Sequence, residues 1–281
     1  MEQTISNNID YSICNLSIQV GLNGFSFCIR KEDASILIIE AITFASPQTP
    51  EKLLTHVEKG FNKFPYLSEV YNKTTVVYQN QLFTLVPKEI FDPEQPELYL
   101  QYSVRTLATD FVAYDELSKE NLIVVYVPYV NINNFFFEKY GSFSYYHSQT
   151  VFLKTMLAQP DYASGTWLFC NIQTSFFELL ILKEGKVQLL NSFIYETKED
   201  FLYYVLFAME QLELQSTNIT LHFIGIENEE NPLYRFASKY IREVKIISII
   251  NVDATSHLFK EAHNYFTLLN TNVHANYIGT T

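Results

Sequence analysis

Glycine is scarce in this chain: eight residues in 281, under half the usual share of about 7%. The eight are scattered, so neither G-x-x-x-x-G-K-[ST] nor G-x-G-x-x-G can be built, and the two familiar glycine cradles for phosphate are excluded. Cysteine is scarcer still. Cys14, Cys28 and Cys170 are odd in number and lack C-x-x-C spacing, which points to buried thiols in a reducing compartment. Basic residues are in deficit, 19 against 31 acids, for a net charge of −12. A nucleic-acid surface needs clustered Lys and Arg, so no nucleic-acid partner is expected, and anionic lipid is disfavoured for the same reason. Long apolar runs are missing too: LIVVYV at 122–127 is far short of the ~20 residues that span a bilayer. MEQTISNNIDYS has neither the basic start nor the apolar core of a signal peptide. The expectation is a cytoplasmic protein without membrane insertion; oligomeric state is left open.

Catalytic motifs are equally thin. His56, His147, His222, His257, His263 and His274 form no H-E-x-x-H, and no metal site is expected. Gly141-Ser142-Phe143-Ser144 only approaches a nucleophile elbow and reads as a turn into a strand. Asp110, Asp115, Glu116 and Glu178 are acids that a cleft can pair, but solvated surface acids are the default reading. No catalytic residue is assigned.

What the chain has is apolar content of 48%, with 23 Phe and 20 Tyr, enough for a large core. NLSIQVGLNGFSFCIR (15–30) alternates on both sides of G-L-N-G, a hairpin with a turn that tolerates left-handed backbone. SILIIEAITF (35–44) is a third strand. Thr49-Pro50 starts a helix with Leu53, Leu54, Val57, Phe61 and Phe64 on one face. TTVVYQNQLFTLVP (74–87) reads as a further hairpin, Asp92-Pro93-Glu94-Gln95 as a helix start, and NLIVVYVP (121–128) as a doubly buried strand. A helix over 131–140 ends at Gly141, SFSYYHS (142–148) is a strand, and TVFLKTMLA (150–158) is a helix.

The order then restarts. Three strands over 166–193 precede a helix capped by Thr197-x-x-Asp200, with Phe201, Leu202, Val205, Leu206 and Met209 on its apolar side. A strand at 218–225, a helix opened by Asn231-Pro232, a strand at 244–250 and a helix at 257–269 complete the chain. Both halves run βββαβα. The fold class is therefore α/β, two similar lobes with mixed sheets flanked by helices, and a cleft between them is expected. The turn-rich stretch 159–165 divides the chain into lobes 1–160, with an inserted hairpin near 74–87, and 161–281.

A doubled βββαβα order resembles the actin-like ATPase (ribonuclease H-like) superfamily, which includes sugar kinases and the cytoplasmic actin-like protein of type IV pilus assembly. VVYVP, NNFFFEKYG and SFSYYHSQTVFLKTML are similar to the pilus protein's strand–helix–strand–helix connection. The sequence also looks like a bacterial family of unknown function placed in that superfamily. The resemblance implies three turns around a nucleotide. The first, bearing Gly21, Asn23 and Gly24, has Gln19 near the family's acid and bulky Leu22 and Phe25. The second has Asn171, Thr174 and Ser175, with Asn171 and Gln173 where the family has Asp and Gly. The third has Gly225 followed by Ile226, where the family has a Gly-Gly turn. A neutral amide cannot offset Mg²⁺ charge as a carboxylate does, and added side chains are expected to crowd the cleft.

Phe135, Phe136 and Phe137 are consecutive on one helix, where neighbours lie ~100° apart, so all three cannot face inward. Tyr145-Tyr146 and Tyr203-Tyr204 add to the aromatic surplus. Exposed aromatic surface hints at a protein partner. The reading is a degenerate actin-like scaffold or protein-binding module without a cofactor. The alternative is an ATPase or small-molecule kinase using ATP and Mg²⁺ at an unorthodox site.

Overall fold

A computed structural model describes residues 9–107, 110–216, 219–249, 265–271 and 278–280. The residues form two compact units, Met1–Asn80 with Pro128–His147 and Gln81–Val127 with Ser148–Thr281.

The first unit is built on β1 (Asn15–Gly21), β2 (Gly24–Arg30), β3 (Ile36–Thr43), β4 (Lys73–Gln79) and, after an insertion that belongs to the second unit, β8 (Ser144–His147). Their order is β3-β2-β1-β4-β8. β1, β2 and β3 are antiparallel neighbours, whereas β1, β4 and β8 run parallel. Helix α1 (Pro50–Lys63) begins at Pro, whose missing N–H costs nothing there. It buries Leu53, Val57 and Phe61, and Phe61 packs edge-on against Phe135 of α3 (Val130–Tyr140). On α3, Phe136 is buried and Phe137 is 64% exposed, as the helical spacing requires. Gly141 ends the helix with φ of 69°.

The expected hairpin over 74–87 is corrected. Both strands exist, but β4 lies between β1 and β8, while β5 (Phe83–Pro87) pairs antiparallel with β7 (Leu122–Tyr126) in another sheet. That sheet has the order β5-β7-β6, with β6 at Ala113–Leu117, and it carries the short helix α2 (Glu97–Leu100). Asp92 accepts from the Glu94 N–H at 3.0 Å, making a turn at the place where a helix start is expected.

The second unit repeats the first unit's sheet. β9 (Thr166–Ile172), β10 (Phe176–Lys183), β11 (Lys186–Ile194), β12 (Thr220–Ile224) and β13 (Glu243–Ile249) are ordered β11-β10-β9-β12-β13, extended by β14 (Ile278–Thr280). The senses match as well: β9, β10 and β11 alternate, and β9, β12 and β13 are parallel. Two sheets with this order and sense, each with flanking helices, are two ribonuclease H-like lobes. Glu184 and Gly185, both at positive φ, form the tight turn between β10 and β11.

Helix α5 (Lys198–Gln211) has a complete capping box between Thr197 and Asp200. Its buried face of Phe201, Leu202, Val205, Ala208 and Met209 meets Phe177 and Leu179 of β10 and Leu221 and Phe223 of β12 in one core. α6 (Pro232–Ala237) adds Leu233 and Ala237. α4 (Ser148–Leu157) has buried polar residues through its first turn. The closing helix expected over 257–269 is described only as α7 (Phe266–Leu269); its earlier residues lie outside the described ones. Cys14, Cys28 and Cys170 are buried and free, and burial pushes the Cys28 thiol up to about 11.

Candidate functional site

In the first unit, Gly21 and Gly24 close β1 onto β2 through Leu22 and Asn23. Gly21, Asn23 and Gly24 all lack positive φ, so the turn does not use the left-handed backbone that G-L-N-G suggests. The glycines serve close approach instead. A Cβ on Gly21 would lie 3.1 Å from the Gln79 carbonyl oxygen, and one on Gly24 would lie 3.0 Å from that of Ile42. The turn's carbonyls are engaged: the Phe44 N–H donates to Asn23 at 2.9 Å and the Gln48 N–H to Leu22 at 2.8 Å. Gln19, near the position the resemblance gives to an acid, donates from Nε2 to Gln79 Oε1 at 2.9 Å. Phe25 does not crowd the turn, because its ring is buried against Phe27 and Phe61.

In the second unit, Asn171 sits near the end of β9, opposite Glu178 of β10 and beside Ile224 of β12. Asn171 Nδ2 donates to Glu178 Oε2 at 2.6 Å, and both residues are 1% exposed. The loop that follows is tied down. The Gln173 N–H donates to the Phe176 carbonyl at 2.9 Å, and the Tyr195 hydroxyl donates to the Gln173 carbonyl at 2.9 Å. Thr174 is exposed and Ser175 half-buried.

Gly225 follows β12 with φ of +84°, and a Cβ there would come 2.4 Å from the Ile172 carbonyl oxygen. Only glycine lets the two strand ends meet this closely. Ile226 does not fill that space; its side chain is part of the core with Phe223 and Leu233. The structure thus gathers Asn171, Gly225 and the loop of Thr174 and Ser175 at one end of the second sheet, while Gly21, Asn23 and Gly24 belong to the first unit. Gly225→Ala is expected to cost ~1–2 kcal/mol from backbone strain, with more from displacement of the Ile172 main chain. A lowered urea midpoint with an unchanged slope is the readout.

Glu178, expected at the solvated surface by default, is buried. Burial raises its carboxyl from 4.5 to about 7, and hydrogen-bonding groups on Asn171, Gln149 and Ser148 pull it back part of the way. Asp115 is also buried, accepting from the Thr150 hydroxyl at 2.6 Å and the Tyr126 hydroxyl at 3.1 Å. Ser148, Gln149 and Thr150 are successive residues of α4's first turn, so one turn of helix serves both acids. The surface reading of these two acids is corrected: a lone Glu within SFFELLIL was a visible sign of a buried carboxyl. Glu116 fits that reading, exposed and paired with Lys88 at 2.6 Å. Asp110 is half-buried.

The family described as "Protein of unknown function (DUF3822)" matches residues 3–244. The chain belongs to that family. No curated protein matches the sequence. A solved protein of Bacteroides thetaiotaomicron VPI-5482, described as having an actin-like ATPase fold and unknown function, is 21% identical over 94% of this chain and 99% of its own, with a TM-score of 0.74. The PilM–PilN type IV pilus biogenesis complex is 10% identical, with 92% of this chain and 97% of that chain covered and a TM-score of 0.57. At such identities the likeness is one of fold, and this DUF3822 protein has the actin-like ATPase fold.

Proposed function

We propose that this DUF3822 protein is a non-catalytic actin-like protein, a scaffold or protein-binding module whose nucleotide turns no longer hold Mg·ATP. One observation carries the reading. Where the resemblance expects acids, the chain has amides, Gln19 near the first and Asn171 at the second, and both are bonded internally, Gln19 to Gln79 and Asn171 to Glu178. An amide offers Mg²⁺ no charge, and each of these, Asn171 buried and Gln19 half-buried, must break a hydrogen bond before it can serve a ligand. Crowding is no part of this reading, since Phe25 and Ile226 point into the core. A protein partner is part of it. The fold is shared with a protein solved as the PilM–PilN complex, and Phe137, Tyr203 and Phe207 are exposed. Among the described residues no helix is long and apolar enough to cross a membrane. A cytoplasmic location belongs to the proposal, supported by three buried unpaired thiols.

Glu178 favours a second reading, an ATP-dependent enzyme. From the opposing strand it brings a carboxyl to Asn171, and that carboxyl titrates at about 7. Phosphate release from Mg·ATP by the purified protein separates the two. The scaffold reading expects release no faster than the buffer blank. Release that disappears in Glu178→Gln would establish the enzyme.

A further inference from the structure

The insertion between β4 and β8 has a small core of its own, Val86, Leu100, Ile123, Val125 and Val127. Outside that core it leaves much apolar surface in water. Of the fourteen large hydrophobic side chains exposed among the described residues, six belong to this one segment: Ile90, Leu98, Tyr102, Leu107, Phe111 and Tyr114. Three of them, Leu98, Leu107 and Phe111, line an open groove of about 590 Å³ together with Val112, Glu97 and Asp110. A volume of this size matches sites that take a few side chains. The groove mixes these apolar side chains with polar ones, Gln101 and Thr106 as well as the two acids, and apolar side chains left in water beside it are surface that a partner can cover.

The charge around the groove narrows what that can be. Besides the buried Asp115, residues 81–127 carry seven acids at or near the surface (Glu89, Asp92, Glu94, Glu97, Asp110, Glu116, Glu120) against three bases (Lys88, Arg105, Lys119), a net of −4. One of the three bases, Lys88, is already paired with Glu116. Nucleic acid and anionic lipid are repelled by such a surface. A second copy of this chain, itself at −12, is disfavoured by like charge.

We propose that the groove docks a basic amphipathic segment of a partner protein. Its apolar side chains fill the space between Leu98 and Phe111, and its Lys or Arg groups meet Glu97 and Asp110. This is the groove-and-anchor mode by which amphipathic helices are bound. It uses none of the turn residues, so binding of nucleotide there would leave it standing.

The test is fluorescence anisotropy of a labelled ~14-residue Leu/Lys helix with apolar residues at i, i+3, i+4 and i+7, titrated with the whole chain. Saturable 1:1 binding is expected, weakened about tenfold or more by Leu98→Asp, by Phe111→Asp and by Glu97→Lys. These positions are exposed, so the variants should fold, and circular dichroism checks that they do. Tyr203→Asp, on another exposed face, should bind like the parent. Four results would overturn the proposal: no saturable binding, equal binding by every variant, equal binding of a Leu/Glu helix, or self-association that Phe111→Asp abolishes.

Discussion

Glu178→Gln is expected to stabilise the protein by about 3 kcal/mol at pH 8 and to change little near pH 4.5. The carboxyl is 1% exposed, and burial raises its pKa from 4.5 to about 7. Below 4.5 it is protonated in folded and unfolded chains alike, so it adds no pH dependence. Between 4.5 and 7 the unfolded chain has released the proton while the folded chain keeps it, so stability falls as pH rises. Above 7 the folded protein holds a buried carboxylate, and the whole penalty is present. Gln mimics the protonated acid: its oxygen can still accept from Asn171, and its amide can donate toward Gln149 or Ser148. His147 and His222 push the opposite way. Burial lowers them to about 3 and about 4, so the protein loses stability as pH falls below 6.5. The raw profile mixes these slopes. The difference between variant and parent, from urea unfolding across pH 4.5–8, isolates Glu178. A difference that does not grow with pH would mean the carboxyl titrates normally in the fold.

Phe201→Ala should cost ~3–5 kcal/mol. The ring is fully buried and lies 4.7 Å from Phe177, 5.5 Å from Phe223 and 6.2 Å from Tyr195. It thus fastens α5 to β10, to β12 and to Tyr195 just past the end of β11, and alanine would leave a cavity walled by aromatic rings that cannot all close in. At roughly 2–4 °C per kcal/mol for a domain near this size, the melting midpoint should fall by about 10 °C. Two residues on, Tyr203 is 61% exposed, and its alanine variant should stay within about 0.5 kcal/mol of the parent. Similar losses from both would contradict the assigned core.

The architecture was legible because its signals are local. Thr197 and Asp200 announce α5, Gly141 closes α3, and three successive strands before a helix occur twice. Strand pairing is not local. TTVVYQNQLFTLVP looks like a hairpin because two β-rich runs flank a polar tip, yet its halves belong to different sheets. Burial of five consecutive residues, Thr74–Tyr78, marks β4 as an interior parallel strand; a hairpin strand with one wet face would alternate. The site was legible in part. Amides at Gln19 and Asn171 could be read from the chain, but their partners Gln79 and Glu178 depend on register. The side-chain directions of Phe25 and Ile226 depend on the core, and sequence alone sent them the wrong way.

Thermal denaturation of the whole protein with and without millimolar Mg·ATP tests the central claim most directly. ATP at about 100 times its dissociation constant would add about 2.7 kcal/mol to the folded state, a rise of several degrees. The degenerate-turn account predicts superimposable melting curves. A saturable rise with Mg·ATP, lost in Glu178→Gln, would contradict it.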